Sequence, residues 1–237
     1  MAELWAVVGL SLMAGLAMPL GAAFASVERI GSDWLEQEFR HSVIAFGAGA
    51  LLSAVALVLV PEGRAHLSVL PAVGCFAAGG IVFMLLDRWL ASMKNSVAQL
   101  VAMLADFIPE ALALGAALAA GSSAGVLLAL LMAMQNVPEG FNAYRELTVL
   151  SDHQGERVIA AFVLMALLGP IAGVAGYFWL AGYPAAMAGI MLFASGGILY
   201  LVFQDIAPQV RLECHWAPPL GAVAGFMLGL IGEMLIA

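Results

Sequence analysis

Long apolar runs dominate this chain and limit what it can fold into. Of its 237 residues, 64% are hydrophobic and only 10% are charged, whereas an ordinary soluble domain has about 25% charged residues. A soluble domain of this length exposes too much surface to hide so many apolar side chains. The runs are long enough for helices that cross a bilayer, which need about 20 residues each. We therefore predict an all-α integral membrane protein.

Eight apolar runs, separated by short polar breaks, follow one another along the sequence. They predict eight transmembrane helices, spans 1 to 8, within a single transmembrane domain that covers residues 1–237. A β-barrel would instead show short segments of alternating polarity. The predicted limits are 3–26, 42–61, 67–87, 97–120, 123–144, 157–181, 185–207 and 217–237.

The basic residues fall almost entirely on one side of the predicted bundle. Loops after spans 2, 4 and 6 contain only Arg64. The loops after spans 1, 3, 5 and 7 contain Arg29, Arg40, Arg88, Lys94, Arg145, Arg157 and Arg211. The positive-inside rule places these loops in the cytoplasm and both termini outside it. The net charge of −8 excludes a basic surface for nucleic acid.

Two segments that lie 147 residues apart resemble each other. Phe46-Gly47-Ala48-Gly49 is followed by Pro61, and Phe193-Ala194-Ser195-Gly196 is followed by Pro208 at the same distance. The two copies are five spans apart, so they cross the membrane in opposite directions. We therefore predict inverted repeats, spans 1–3 and spans 6–8, around a central pair of spans 4 and 5. Secondary transporters are often built in this way.

Three carboxyl groups lie deep within predicted spans, at Asp106, Glu110 and Glu139. An ionised carboxylate inside a bilayer is costly unless it is paired or coordinated. No Lys or Arg lies at a similar depth in any span. The missing positive charge therefore comes from protons or from a bound cation.

The spacing of these carboxyl groups favours a cation site. Asp106 and Glu110 are four residues apart in span 4, and Gln135 and Glu139 are four residues apart in span 5. Each pair shares one helix face, and a proline before each glutamate frees a backbone carbonyl. If the two spans face each other, four oxygen-bearing side chains converge. The alternative is that the prolines are packing kinks and the carboxyl groups are protonated.

These motifs resemble those of the ZIP (Zrt/Irt-like) family of divalent metal-ion transporters, and the resemblance covers essentially the whole chain. Residues 106–111 are similar to the family motif His-Asn-x-Pro-Glu-Gly of span 4. Residues 135–140 are similar to the span 5 motif Gln-Asp/Asn-x-Pro-Glu-Gly of the bacterial GufA-like branch.

What this resemblance implies goes beyond the motifs. It implies transport of a metal cation (Zn, Mn or Fe) toward the cytoplasm across a bacterial inner membrane, by a homodimer with both termini outside the cytoplasm. The metal would be substrate rather than resident cofactor. The implied metal-site residues are Asp106, Glu110, Gln135, Glu139 and, from a second site, Asn136.

The chain also departs from the family pattern. Asp106 stands where the family has histidine, Phe107 where it has asparagine, and Gly169 where span 6 has glutamate. We therefore predict one metal site instead of two. All of its ligands would be oxygen atoms, which suit Mn²⁺. Zn²⁺ prefers imidazole and thiolate ligands. We expect a preference for Mn²⁺ or Fe²⁺, or broad use of divalent cations.

Two other functions remain open on the sequence. The altered site favours, as an alternative, a ZIP-like membrane protein that binds or senses a ligand without transporting metal. An intramembrane enzyme could use the same carboxyl groups, but the chain lacks His-Glu-x-x-His and Gly-x-Ser-x-Gly patterns. We predict that the protein is not an enzyme. Cys75 and Cys214 have no C-x-x-C partner and are interpreted as structural or incidental.

Overall fold

The computed structural model describes residues 2–28, 33–93, 96–150, 155–210 and 217–236. These residues are almost entirely helical, and no strand occurs among them. Eight helices in this part of the chain are long and apolar enough to cross a membrane, which confirms the predicted fold class and helix count. They are α1 (Ala2–Val27), α2 (Gln37–Ala65), α3 (Val69–Ser92), α4 (Leu100–Ala119), α5 (Ala124–Thr148), α6 (Gly155–Leu180), α7 (Pro184–Val210) and α8 (Ala217–Ile236).

The helices agree closely with the predicted spans but several extend further. The helix that contains α2 already begins at Asp33 and the helix that contains α5 ends at Leu150, each several residues beyond the predicted limit. The apolar pattern ends where the hydrocarbon ends. Backbone hydrogen bonds can continue into the polar interface, because a helix satisfies its own N–H and C=O groups there. The added turns carry polar side chains that become important below.

The eight helices form two groups. α1, α4, α5 and α6 pack against one another, and α2, α3, α7 and α8 form the second group. The groups meet chiefly where α2 contacts α5 and where α4 contacts α7. Each main helix contact has a counterpart when α1 is exchanged with α6, α2 with α7, α3 with α8 and α4 with α5. The contact of α2 with α8, for example, corresponds to the contact of α7 with α3. This pattern is the one expected from the predicted repeats, although their inverted arrangement in a membrane stays a prediction.

Two helix pairs in the second group pack backbone against backbone. On α8, Gly225 lies against the carbonyl of Phe46 in α2. On α3, Gly79 lies against the carbonyl of Phe193 in α7. Any side chain on either glycine would collide with the opposing backbone, so small residues set the close approach. Phe46 and Phe193 are themselves 147 residues apart, so the repeat offset recurs in the packing.

The repeat offset also recurs in the backbone. Val55–Leu59 within α2 and Val202–Ile206 within α7 are π-helical, and 147 residues separate them. Each segment stands just before a proline, Pro61 or Pro208. A proline ring clashes with the carbonyl four residues earlier and lacks an N–H. Widening the preceding turn relieves that clash, so the same sequence feature produces the same π-bulge in both copies.

The two ends of the bundle differ in charge among the described residues. We call the end where α1, α3, α5 and α7 terminate the basic end. Arg40, Arg88, Arg145 and Arg157 lie at the basic end, and Arg64 lies at the opposite end. Four other predicted positions, Arg29, Lys94, Arg211 and Cys214, lie outside the described residues. The placement of the basic end in the cytoplasm stays a prediction.

Candidate cation site

The two Pro-Glu motifs lie in α4 and α5, which pack against each other. Pro109 and Pro138 both occur inside continuous helices. The side-chain amide of Gln135 donates a hydrogen bond of 2.8 Å from Nε2 to Oε2 of Glu110. The structure therefore brings together one member of each predicted i, i+4 pair.

This contact is unusual because the polar side chains that form it are almost completely buried. Glu110 is fully buried, and Asp106 and Gln135 keep only 7% and 2% of their surface exposed. α4 contains no basic residue, and the single one in α5, Arg145, is ten residues beyond Gln135. The ion pairs found within the described part of the chain do not include any of these carboxyl groups.

Three buried oxygen atoms at this place receive no hydrogen bond from the described residues. They are Oδ1 of Asp106, Oε1 of Glu110 and Oε1 of Gln135. A buried acceptor without a donor costs free energy, typically about 1–3 kcal/mol and more when it is charged. The cluster is thus rich in acceptors and poor in donors. Protons on the carboxyl groups or a cation between the oxygens would supply what is missing.

Glu139 belongs to the same electrostatic neighbourhood but is only partly buried. Its charge and that of Asp106 both act on Glu110, and Asp106 acts on Glu139. Even so, no three His, Cys, Asp or Glu side chains among the described residues are gathered closely enough to hold a metal ion. The convergence of Asp106, Glu110, Gln135 and Glu139 around one ion stays a prediction. In this conformation the hydrogen bond between Glu110 and Gln135 is the one found among these four residues.

Asn136, the remaining predicted metal-site residue, has a different contact. It is 1% exposed, and its Nδ2 donates a hydrogen bond of 2.8 Å to the backbone carbonyl of Ala14 in α1. This bond ties the kinked part of α5 to α1. The donor of Asn136 is therefore used in holding two helices together next to the site.

Phe107 and Gly169 occupy the positions where the resemblance implies ligands of a second metal. Phe107 is 1% exposed. A Cβ atom built on Gly169 in α6 would lie 2.7 Å from Cζ of Phe107 and 2.8 Å from the carbonyl oxygen of Ser11. The aromatic ring thus fills the space beside the glycine. An apolar contact stands where the family pattern has two polar ligands.

A second polar cluster, which the sequence did not reveal, lies at the basic end below Glu139. Arg40 of α2 donates from Nε and Nη2 to Oδ1 of Asn142, at 3.2 and 3.0 Å. Asn142 donates from Nδ2 to Oε1 of Glu146 at 2.9 Å. The sequence feature that could have indicated this cluster is the spacing of Glu139, Asn142 and Glu146, which puts all three on one face of α5.

Comparison with known proteins adds no relative to this picture. No protein-family model matches the chain, and no curated protein matches it.

Proposed function

We propose that this protein is a secondary transporter that carries a divalent metal cation across a membrane through one carboxylate-rich site between α4 and α5. The proposal is supported above all by three buried oxygen atoms that accept no hydrogen bond from the described residues, on Asp106, Glu110 and Gln135. Ionisable groups inside a membrane are rare and usually mark an ion or proton pathway. Here ionisable groups occur on both α4 and α5, which each contain a proline and pack against each other.

The chemistry of these side chains favours a cation over a purely structural role. A structural cluster would pair its acceptors with donors, because unpaired buried groups destabilise the fold. Among Asp106, Glu110, Gln135 and Glu139, the amide of Gln135 is the only side-chain donor when the carboxyl groups are ionised. Protons can occupy the carboxyl groups while no metal is bound, and they leave when a metal binds. Binding would then exchange protons for metal.

The ligand set also points to a class of metal. Carboxylate and amide oxygens suit Mg²⁺, Ca²⁺ and Mn²⁺, whereas Zn²⁺ prefers imidazole and thiolate. The resemblance to ZIP transporters narrows the substrate to transition-metal cations of the Zn, Mn and Fe type. We therefore propose Mn²⁺ or Fe²⁺, or a broad range of divalent cations, as the substrate.

The contact between Phe107 and Gly169 supports one metal per chain. A second ion beside the first would need oxygen or nitrogen ligands in the space that the Phe107 ring fills. An aromatic ring in that space excludes water and offers no lone pair. A single ion between α4 and α5 fits the polar atoms that remain.

The two helix groups suggest how the site would be exposed alternately. The site lies on α4 and α5, in the group of α1, α4, α5 and α6, and these two helices also make the main contacts with the second group, α5 with α2 and α4 with α7. Movement of one group against the other would open the site to one side and then to the other. From the resemblance we further propose a homodimer in the bacterial inner membrane that transports metal toward the cytoplasm.

Metal binding by the detergent-purified protein tests the proposal. We expect one Mn²⁺ per chain, at least a tenfold weaker affinity in Glu110→Gln, and an unchanged affinity in Glu233→Gln. Glu233 is the matched control because the same chemical change falls in α8, outside the site. Zn²⁺ bound far more tightly than Mn²⁺, with no effect of Asp106→Asn, would contradict the proposed ligand set. A stoichiometry of two would contradict the single site.

A further inference from the structure

The path from the candidate cation site toward the basic end follows one face of α5. Glu139, Asn142 and Glu146 are spaced by three and four residues, so their side chains stand one above another along the helix. The helix rises about 10 Å between the first and the last of them. All three side chains are partly buried, and that of Glu146 is 29% exposed. The face offers oxygen atoms from the site to the edge of the bundle.

Arg40 lies across this path. Its guanidinium donates two hydrogen bonds to Oδ1 of Asn142, and its Nη2 is 3.9 Å from Oε1 of Glu146. Arginine stays protonated under all ordinary conditions, so the group carries a permanent positive charge. It therefore holds the oxygens that a departing metal cation would otherwise use as its next ligands.

The contact also joins the two helix groups. Arg40 is on α2 and Asn142 is on α5, and these helices form the main boundary between the groups. Next to it, the rings of Phe39 and Phe141 meet edge to face, with their centroids 6.2 Å apart. The polar contact and the aromatic contact together close the boundary at the basic end. A second ion pair at this end, Arg145 with Glu28, connects α5 to the residue that follows α1 and lies within one group.

We propose that the Arg40 guanidinium is a tethered cation that seals the route between the candidate cation site and the basic end, and that it has to leave Asn142 and Glu146 before a metal cation passes. This inference rests on the proposed transport function. The guanidinium and a metal cation would compete for the same oxygens, and two positive charges so close together repel each other. Arg40 is a positioning residue here, since it acts on the path and not on the bound metal.

Cysteine labelling measures the seal without any metal present. Ala143 lies on the path and is fully buried, and Ala116 is equally buried in α4 toward the opposite end. In a chain with Cys75→Ser and Cys214→Ser, we expect Arg40→Gln to raise the labelling rate of Ala143→Cys about tenfold, the effect of losing hydrogen bonds to a charged group. The labelling rate of Ala116→Cys stays unchanged. Arg157→Gln, which removes an exposed charge at the same end, changes neither rate.

The labelling result decides the inference by itself. An unchanged rate at Ala143→Cys overturns it, and so does an equal rise at both cysteines, which would report general loosening of the fold. Arg40→Lys keeps the charge and is expected to label close to the rate of the unaltered Arg40.

A flux measurement separates this inference from the function on which it rests. In vesicles loaded with a metal-sensitive dye, Arg40→Gln is expected to change the rate of Mn²⁺ flux while the affinity measured in detergent stays constant. Absence of Mn²⁺ flux in every variant, with the labelling difference intact, would contradict the transport function and still support the seal. Equal flux and equal labelling in Arg40→Gln and the parent chain would overturn the seal alone.

Discussion

Phe107 fills the space that a side chain at Gly169 would need. The two residues face each other across α4 and α6, and a Cβ atom on Gly169 would stand 2.7 Å from Cζ of the ring. The backbone carbonyl of Ser11 in α1 closes the same space from a third helix, at 2.8 Å. A large residue and an absent side chain are thus matched beside the candidate cation site. The match depends on both residues, so each constrains the other.

Gly169→Ala is expected to destabilise the protein. The new methyl group would press on the Phe107 ring and on a backbone carbonyl that cannot rotate away, and overpacking of this kind costs about 1–3 kcal/mol. Thermal unfolding in detergent measures the effect. Gly74→Ala in α3 is the control, because nothing lies within 4 Å of a Cβ atom there. We expect Phe107→Leu to recover part of the stability lost in Gly169→Ala, and the absence of any recovery would argue against the match.

Asn136→Ala is expected to lower stability while leaving metal affinity nearly constant. The substitution removes the bond from Nδ2 to the carbonyl of Ala14, and the loss of this hydrogen bond between helices costs about 0.5–1.5 kcal/mol. Gln135→Ala should do the opposite and weaken metal binding, because Gln135 contacts Glu110 directly. Unfolding temperature and Mn²⁺ affinity, measured for both variants, separate the two roles. A large loss of affinity in Asn136→Ala would make Asn136 a ligand after all.

Metal affinity is expected to fall as the pH is lowered. Carboxyl groups bind a metal as carboxylates, so Asp106, Glu110 and Glu139 must release any protons that they hold. Acid favours the protonated, metal-free form, and alkali favours the bound form. Isothermal titration of Mn²⁺ in two buffers of different ionisation enthalpy counts the protons released. Binding that is independent of pH and releases no protons would contradict the proposed exchange of protons for metal at these carboxyl groups.

The helices could be predicted from the sequence because the bilayer imposes one length and one composition on each of them. Every span contains enough consecutive apolar residues to be recognised without knowing its neighbours. The contact between Glu110 and Gln135 could also be predicted, since regular spacing determines which residues share a helix face. Helix ends were less certain, because polar turns such as the one that carries Arg40 continue beyond the apolar run.

The remaining features depend on neighbours that are distant in the sequence. In the sequence Arg40 is only a basic residue near a predicted loop, because the sequence does not show that α2 lies beside α5. Asn136 resembled a ligand by position, and only the approach of α1 supplied the Ala14 carbonyl as its partner. The space filled by Phe107 is defined by three helices at once. Hydropathy and spacing describe one helix at a time, and contacts of this kind lie outside what they can predict.

Uptake of Mn²⁺ by vesicles that contain only the purified protein tests the central claim most directly. We predict uptake that saturates with metal concentration, is lost in Glu110→Gln and is retained in Glu233→Gln. That result would assign transport to the buried oxygens between α4 and α5. Tight binding of Mn²⁺ in detergent without any uptake by the unaltered protein would contradict the account and favour a protein that binds or senses metal.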